Sequence, residues 1–263
     1  MLTRIISGAV LIAIAVGLVV LNMFFPITAV IAVSVLSAMA TYEMLKNTGA
    51  VKPKALYLGC SAFAALICAF SLLNVKAIPL VVALFIVFVA TLSLVYHKKA
   101  PFSAVFASLA APLTLGFAFS RVGMLLGVEL FYFLLLLNFA CICDCGAYFA
   151  GVTLGKHKLC PEISPKKTVE GAVGGIVSSL IVTVVLVLCF NKKADLWPLL
   201  AATPVMCVVG MVGDLFASVI KRSVGIKDYS NLIPGHGGIM DRFDSILLIA
   251  PLFTAVLSLI GVL

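Results

Sequence analysis

The sequence predicts an all-α, polytopic integral membrane protein with about nine transmembrane helices. Of its 263 residues, 63% are hydrophobic and only 11% are charged, and the mean hydropathy is +1.27. A soluble domain of this length could not bury so large an apolar fraction. The apolar residues also fall in runs of about 20, the length at which a helix crosses a hydrocarbon core of roughly 30 Å.

Nine apolar runs are candidate spans. The first is longer than the roughly 7 to 15 apolar residues of a signal peptide, and the runs lack the alternating polarity of barrel strands. The fifth is short and contains Pro112, which leaves eight or ten spans as alternatives. The predicted spans cover residues 5–25, 27–45, 56–74, 77–96, 103–120, 122–143, 170–190, 197–220 and 245–262.

The distribution of positive charge predicts the orientation, because short loops rich in Lys and Arg stay on the cytoplasmic side. With a cytoplasmic N-terminus, fourteen of the 18 Lys and Arg residues lie inside. The four outside are Lys76, Arg121, Lys192 and Lys193. We therefore expect the two longest polar segments, with Lys166 and His236, to face the cytoplasm from the inner (cytoplasmic) membrane.

Charge and cysteine content exclude two other classes of site. The net charge of +8 is explained by loop topology and attraction to anionic head groups, and the basic residues are too scattered for a nucleic-acid partner. Three cysteines occupy every second position at Cys141, Cys143 and Cys145, so they do not share a helix face. No second C-x-x-C or His pair follows that could complete a metal site. We therefore expect the eight cysteines to be structural or incidental.

The polar residues divide the chain into two regions. Residues 1–140 read as a scaffold of transmembrane helices, and residues 141–263 as a catalytic region in the same membrane domain. Asp144 opens a glycine-rich stretch that resembles a membrane exit with a carboxylate at the interface. Residues 163–171, ISPKKTVEG, contain helix-start signals at Pro165 and Thr168. Lysines and hydroxyls at a helix N-terminus suit a phosphate, although a capped helix with topogenic lysines is equally consistent.

The eighth span and the turn after it are the most informative. Asp214, Ser218, Lys221 and Arg222 recur at helical spacing and share one face. A carboxylate so deep in an apolar run indicates a function, with a structural pair to Lys221 as the alternative. Glycines and a proline then favour a compact turn around His236, followed by Asp241, Arg242 and Asp244. Such a cluster offers oxygen ligands for Mg²⁺ and cations for phosphates.

Residues 218–244, SVIKRSVGIKDYSNLIPGHGGIMDRFD, resemble the signature of the phosphatidate cytidylyltransferases, also called CDP-diacylglycerol synthases. We call them the signature segment. The resemblance extends to the Asp144 stretch and to residues 163–171, and so covers about residues 140–263. It implies a membrane enzyme that joins CTP to phosphatidic acid, gives CDP-diacylglycerol and diphosphate, and requires Mg²⁺.

The resemblance also implies roles for the polar residues. Metal binding is assigned to Asp214 and Asp241, with Asp144 or Asp244 assisting. The catalytic set is Asp214, Asp241, Asp244, Lys221 and Arg222. The substrate-binding set is Asp144, Ser164, Lys166, Lys167, Thr168, Ser218, Lys227, Asp228, His236 and Arg242.

Two other functions remain as alternatives. A CTP-dependent lipid kinase of the dolichol kinase kind would transfer the γ-phosphate instead of the nucleotidyl group. An ion-coupled transporter would also hold intramembrane carboxylates, but the charge here clusters towards one side of the membrane. The expected partners are CTP, phosphatidic acid and the bilayer, with a homodimer left open.

Overall fold

The chain is a polytopic helical membrane protein, as predicted. The computed structural model describes residues 2–235 and 237–263, and only the backbone of residues 2–6 and 11. Met1 and His236 lie outside the described residues. Within that range, eight helices are long and apolar enough to cross a bilayer, and a shorter apolar helix lies near the C-terminus. Nine apolar segments therefore correspond in order to the nine predicted spans.

The first five helices are α1 (Leu2–Phe24), α2 (Ile27–Tyr42), α3 (Lys54–Leu73), α4 (Ile78–Val95) and α5 (Phe102–Val128). A π-helical turn, Glu43–Asn47, continues α2, and a short 3-10 turn, Val75–Ala77, precedes α4. The next span consists of α6 (Leu130–Leu137), a π turn (Asn138–Ile142) and α7 (Cys143–Leu154).

The remaining elements are two short strands and four helices. A hairpin of β1 (Lys158–Cys160) and β2 (Ser164–Thr168) precedes α8 (Val169–Cys189). A 3-10 turn, Lys193–Asp195, leads into α9 (Leu196–Ser223), which is followed by α10 (Met240–Phe243) and α11 (Ile246–Leu259).

The predicted bounds of the fifth and sixth spans were wrong, because the sixth covers Leu130–Leu154 and not residues 122–143. The fifth span does not end at residue 120 but continues as α5 to Val128, and Arg121 lies inside it instead of in a loop. The Arg121 guanidinium lies 4.9 Å from the centre of the Phe117 ring, which lets a long side chain remain on an apolar helix. The chain breaks at Glu129, whose backbone is extended.

The second correction concerns Asp144, which was placed at a membrane exit. It lies instead in the first turn of α7, and the helix continues to Leu154. The physical reason is that the glycines after Asp144 pack a helix against a helix and do not form a loop. Gly146 and Gly151 of α7 lie against Ser178 and Gly171 of α8, so small residues let the two backbones approach closely.

The helices group into two compact units, residues 1–127 with 223–243 and residues 128–222 with 244–263. In the first unit, α1 packs on α2, α2 on α3, and α3 on α4. Its core includes Leu45, Leu56, Phe85 and Val89, all fully buried. Gly116 of α5 also lies against the backbone of α3.

In the second unit, α7 packs along α8, and α11 contacts α6. A buried polar chain joins the helices: Asn138 Nδ2 donates to the Ser179 carbonyl and to Thr183 Oγ1, each at 3.0 Å. Thr183 Oγ1 in turn lies 3.1 Å from Thr203 Oγ1 of α9. Such interhelical hydrogen bonds stabilise helix association where water is absent.

Candidate active site

The centre of the candidate site in the second unit is an ion pair. Lys167 Nζ, from β2, lies 2.5 Å from Asp214 Oδ2 of α9. The Lys167 nitrogen is shielded from solvent, so its charge is compensated chiefly by the protein. A structural pair of Asp214 with Lys221 was the alternative to a functional role. The structure instead pairs Asp214 with Lys167.

Close packing of α7 on α8 places Asp144 at the same cavity as this pair. A Cβ at Gly174 would overlap Ala150, and one at Gly175 would meet the carbonyl of Cys143. The glycines at the start of α8 therefore allow close helix packing. Asp144, one turn before Ala147 and Tyr148, then lines the cavity together with Lys167 and Asp214.

Residues 163–171 begin as a strand and become helical only after Thr168. Ser164 and Thr168 pair with Cys160 and Lys158 of β1. Thr168 Oγ1 caps α8 by accepting from the Gly171 amide at 3.1 Å, as its helix-start signal predicted. Pro165 was expected at the helix start, but it lies in β2. The hairpin explains the difference, because its pairing extends the chain as far as the cap residue.

Glu170 supports this region, and sequence reasoning missed it. Its carboxylate accepts from the Lys156 amide at 3.1 Å and the His157 amide at 3.2 Å. His157 Nδ1 also lies 2.6 Å from Glu170 Oε1. The carboxylate therefore ties the start of α8 to the segment after α7, although 13 residues separate Glu170 from His157. Local spacing gives no signal for such a pair.

Asp244 is a third carboxylate near Asp144 and Asp214 in the second unit. Burial raises its pKa to about 7, with a further rise caused by the nearby charges of Asp214 and Asp144. A hydrogen bond from the Ser245 amide at 2.8 Å and the charge of Lys221 lower the pKa in part. Gly213 of α9 lies directly against the Asp244 and Ser245 backbone, which explains why Asp214 and Asp244 are close. The cluster is electrostatically suited to a cation.

A cavity of about 600 Å³ opens beside Asp144 and Asp214. Its polar lining is formed by Asp144, Lys158, Lys166, Lys167, Thr168 and Asp214. Small-molecule sites typically have volumes of roughly 300–1,000 Å³. The cavity therefore has the size, the cations and the hydroxyl group that a phosphorylated ligand requires.

The eighth span carries the rest of the predicted helix face. Asp214, Ser218, Lys221 and Arg222 all lie in α9, and the helix is continuous through them. Lys221 is buried, with 9% of its surface exposed, and Arg222 is exposed. The shared helix is confirmed, and the substrate contacts of these side chains stay predictions.

The turn at residues 229–241, which we call the signature turn, belongs to the first unit. Asp241 Oδ2 accepts from the Tyr229 amide at 2.8 Å and the Gly238 amide at 3.0 Å. Gly235 and Gly237 have positive φ angles of 76° and 81°, so the predicted compact turn is confirmed. His236, predicted at its centre, lies outside the described residues.

A second carboxylate, Glu43, holds the same turn and was not predicted. It accepts from Ser230 Oγ at 2.6 Å, the Ile239 amide at 3.1 Å and the Met240 amide at 2.9 Å. Only 3% of Glu43 is exposed. An acidic residue at the end of an apolar span was the only available signal, and nothing in the sequence links it to a segment nearly 200 positions later.

The remaining predicted residues are placed as follows. Lys227, Asp228 and Arg242 are exposed in the first unit. The pairing of Asp214 with Asp241 at one ion stays a prediction. Among the described residues, no three Asp, Glu, His or Cys side chains form a ready-made metal site. The donor chemistry nevertheless fits Mg²⁺, which usually takes one or two carboxylates and fills its shell with water and substrate phosphates. All eight cysteines are free thiols in the structure.

Comparison with known proteins identifies the family of this chain. A model of the cytidylyltransferase family matches residues 2–260. The chain belongs to the cytidylyltransferase family. Proteins named phosphatidate cytidylyltransferase are 46% identical in Staphylococcus haemolyticus, 49% in Staphylococcus saprophyticus and 46% in Staphylococcus aureus. Each match spans 114 residues, 43% of this chain and 44% of the relative.

Membership in the cytidylyltransferase family extends the earlier resemblance to the N-terminal half. The resemblance covered only about residues 140–263, and the family match begins at residue 2. Glu43 is therefore part of the same family fold as the signature segment.

Proposed function

We propose that this chain is a phosphatidate cytidylyltransferase, which converts CTP and phosphatidic acid to CDP-diacylglycerol and diphosphate. The observation that carries the proposal is the cavity at the Lys167–Asp214 pair. It presents lysines and carboxylates together in a chain whose described residues include eight long apolar helices. The substrates require that combination, because one is a nucleoside triphosphate and the other a lipid phosphate. The names of the staphylococcal relatives support it.

The proposed reaction needs no covalent enzyme intermediate. A phosphomonoester has a second pKa of about 6, so the phosphatidic acid phosphate is itself the nucleophile near neutral pH. One of its oxygens forms a bond to the α-phosphorus of CTP, while the bond from that phosphorus to the bridging oxygen breaks. Diphosphate leaves with the electron pair. The protein then has to align two anions and neutralise their charge.

The residues of this chain divide those tasks. Lys166, Lys167, Lys221, Arg222, Lys227 and Arg242 would contact phosphates, and Ser164, Thr168 and Ser218 would donate hydrogen bonds. Asp214 and Asp241 would hold Mg²⁺, with Asp144 or Asp244 assisting; the ion supplies charge neutralisation for the phosphates. Asp228 and His236 remain assigned to substrate binding by resemblance. The scaffold role of residues 1–140 and the catalytic role of residues 141–263 also stay proposals.

The active site is proposed to face the cytoplasm from the cell membrane. Glu43 contacts Ile239 and Met240, so the end of α2 and the signature turn lie on the same side. Six membrane-spanning segments separate them in the chain, and an even number returns the chain to its starting side. The contact therefore supports the predicted arrangement of spans, and the positive charges supply the direction.

The proposal is tested with purified protein, phosphatidic acid, Mg²⁺ and CTP labelled at either the α or the γ phosphate. Label from the α position should enter the lipid, and γ label should leave as diphosphate. Transfer of the γ label to lipid would instead identify a CTP-dependent lipid kinase. No transfer of either label would contradict both enzyme assignments.

Light scattering of the same preparation tests whether the protein is a homodimer.

A further inference from the structure

We infer that Glu43 is a positioning residue for the reaction: it clamps the signature turn and thereby sets the place of Asp241. The inference rests on the proposed function for its kinetic consequences. Its structural part depends only on the contacts of Glu43. No residue of the first 140 was assigned a role at the site, so Glu43 extends the machinery into the N-terminal half.

Both carboxylate oxygens of Glu43 are engaged by the turn. Oε1 accepts from Ser230 Oγ at 2.6 Å and from the Ile239 amide at 3.1 Å. Oε2 accepts from the Met240 amide at 2.9 Å. Hydrogen bonds to an ionised acceptor are stronger than those between neutral groups. A carboxylate with 3% exposure is stable only when its oxygens are satisfied in this way.

Asp241 accepts a hydrogen bond from the neighbouring Gly238 amide within the same turn. The amides of Gly238, Ile239 and Met240 are consecutive, and the first donates to Asp241 while the other two donate to Glu43. A Cβ on Gly238 would overlap the Glu43 carboxylate, and one on Gly237 would lie 2.9 Å from Asp241 Oδ2. The two carboxylates thus explain why both positions are glycine.

A second contact from the same turn of helix strengthens the clamp. Asn47 Nδ2 donates to the Tyr229 carbonyl at 2.8 Å, and the Tyr229 amide donates to Asp241. Glu43 and Asn47 are the two ends of the π-helical turn, a distortion often found at functional sites. The end of α2 therefore holds the signature turn at both of its sides.

The clamp matters because Asp241 can act only from a defined position. Its Oδ2 is directed by amides of the turn, so a turn released from Glu43 would carry the carboxylate away. Misplacement of a reacting group by about 1 Å can cost about 100-fold in rate. Glu43 would then affect catalysis without touching substrate.

Glu43→Gln is the informative variant, because it keeps the size of the side chain. Both oxygens accept hydrogen bonds, so an amide group in place of either one would face a donor. Glu162→Gln, an exposed residue between β1 and β2, is the matched control. We expect kcat/KM to fall about 100-fold in Glu43→Gln, with a higher Mg²⁺ concentration for half-maximal activity. A purely structural role would lower the yield of active protein and leave the Mg²⁺ dependence unchanged.

Limited trypsin digestion provides a readout that does not need activity. Lys227 is exposed just before the turn, and cleavage after it should accelerate about tenfold in Glu43→Gln. If that variant fails to fold, Ser230→Ala removes one donor and should shift both measurements in the same direction. Wild-type Mg²⁺ dependence and wild-type cleavage in folded variants would overturn the inference. An inactive wild type with a normal digestion difference would overturn only the proposed function.

Discussion

Lys167 Nζ lies 2.5 Å from Asp214 Oδ2, and this contact joins β2 to α9 in the second unit. The lysine nitrogen is shielded from solvent, and Asp144 lines the same cavity. A phosphate oxygen that replaced the Asp214 carboxylate would bind the ammonium without moving it. The pair is therefore a structural contact, and we propose that its lysine also binds a substrate phosphate.

Lys167→Met should abolish most turnover. The variant removes the cation that pairs with Asp214 and keeps an unbranched side chain of similar length. Loss of one preorganised charge contact at a reaction centre typically costs about 100-fold or more in kcat. Initial rates with labelled CTP measure the effect. Lys76→Met, in an exposed 3-10 turn, is the control and should behave as wild type. Equal rates in both variants would remove Lys167 from the site.

Asp244 should make the stability of the ion-free protein depend on pH. Its pKa is raised to about 7 from an ordinary value of 3.8, so the folded state binds more protons than the unfolded state between these pH values. Stability attributable to this group therefore falls as pH rises through that window, and the full cost is present above about pH 7.

Asp244→Asn removes that cost. In the absence of Mg²⁺, the melting temperature of Asp244→Asn minus that of the wild type should be larger at pH 8 than at pH 5. Addition of Mg²⁺ at pH 8 should narrow the difference, because the ion stabilises the charged carboxylates. Differential scanning fluorimetry in detergent measures both effects, with Glu162→Gln as the control. A difference between Asp244→Asn and wild type that is constant with pH would contradict the assigned shift.

Gly174→Leu should separate α7 from α8. Its added side chain would overlap Ala150, and overpacking of this kind typically costs about 1–3 kcal/mol. We expect a lower melting temperature and lower activity together, since Asp144 lies on α7. Val173→Leu, at an exposed neighbouring position, is the control. A normal melting temperature in Gly174→Leu would show that the helices can part without cost.

The sequence predicted the spans and the polar clusters because both are local patterns. Apolar length identifies a span, and helical spacing placed Asp214 with Lys221 on α9. The partner of Asp214 was not predictable, since Lys167 reaches it from a hairpin that the spacing did not reveal. Glu43 was missed for the same reason. A single buried acid has no local pattern, and its meaning depends on amides supplied by residues 239 and 240.

The misplaced end of α7 illustrates a different failure. Gly146, Gly151 and Gly155 resemble a loop when they are counted along the chain. In the structure the first two lie against α8, and only Gly155 ends the helix. Glycine in a membrane protein can allow close helix packing as well as a break, and only the facing helix distinguishes the two.

The orientation predicts which side of the membrane is reached by a reagent. Single cysteines at Lys158 and Asn231, both exposed, should react with a membrane-impermeant maleimide only after the membrane is opened. A cysteine at Lys76 should react in intact cells. Each single cysteine is introduced into a variant from which the eight native cysteines have been removed. Labelling at residues 158 and 231 in intact cells would reverse the proposed orientation.

Asp214→Asn and Asp241→Asn test the metal assignment. If both carboxylates hold one ion, each change removes the same unit, so the single and double variants should be similarly inactive, each reduced about 100-fold or more. Higher Mg²⁺ should partly restore a single variant and not the double. Folded protein, measured by size-exclusion chromatography, should persist in all three.

The structural alternative gives a different pattern. Asp214 is paired with Lys167 and Asp241 holds the signature turn, so loss of either could act through folding alone. In that case the yield of folded protein would fall, the remaining protein would turn over normally, and Mg²⁺ would rescue neither variant. Near-normal turnover of folded Asp241→Asn at ordinary Mg²⁺ would remove Asp241 from the metal site. Asp144 and Asp244, which share the second unit with Asp214, would then be the ligands to test.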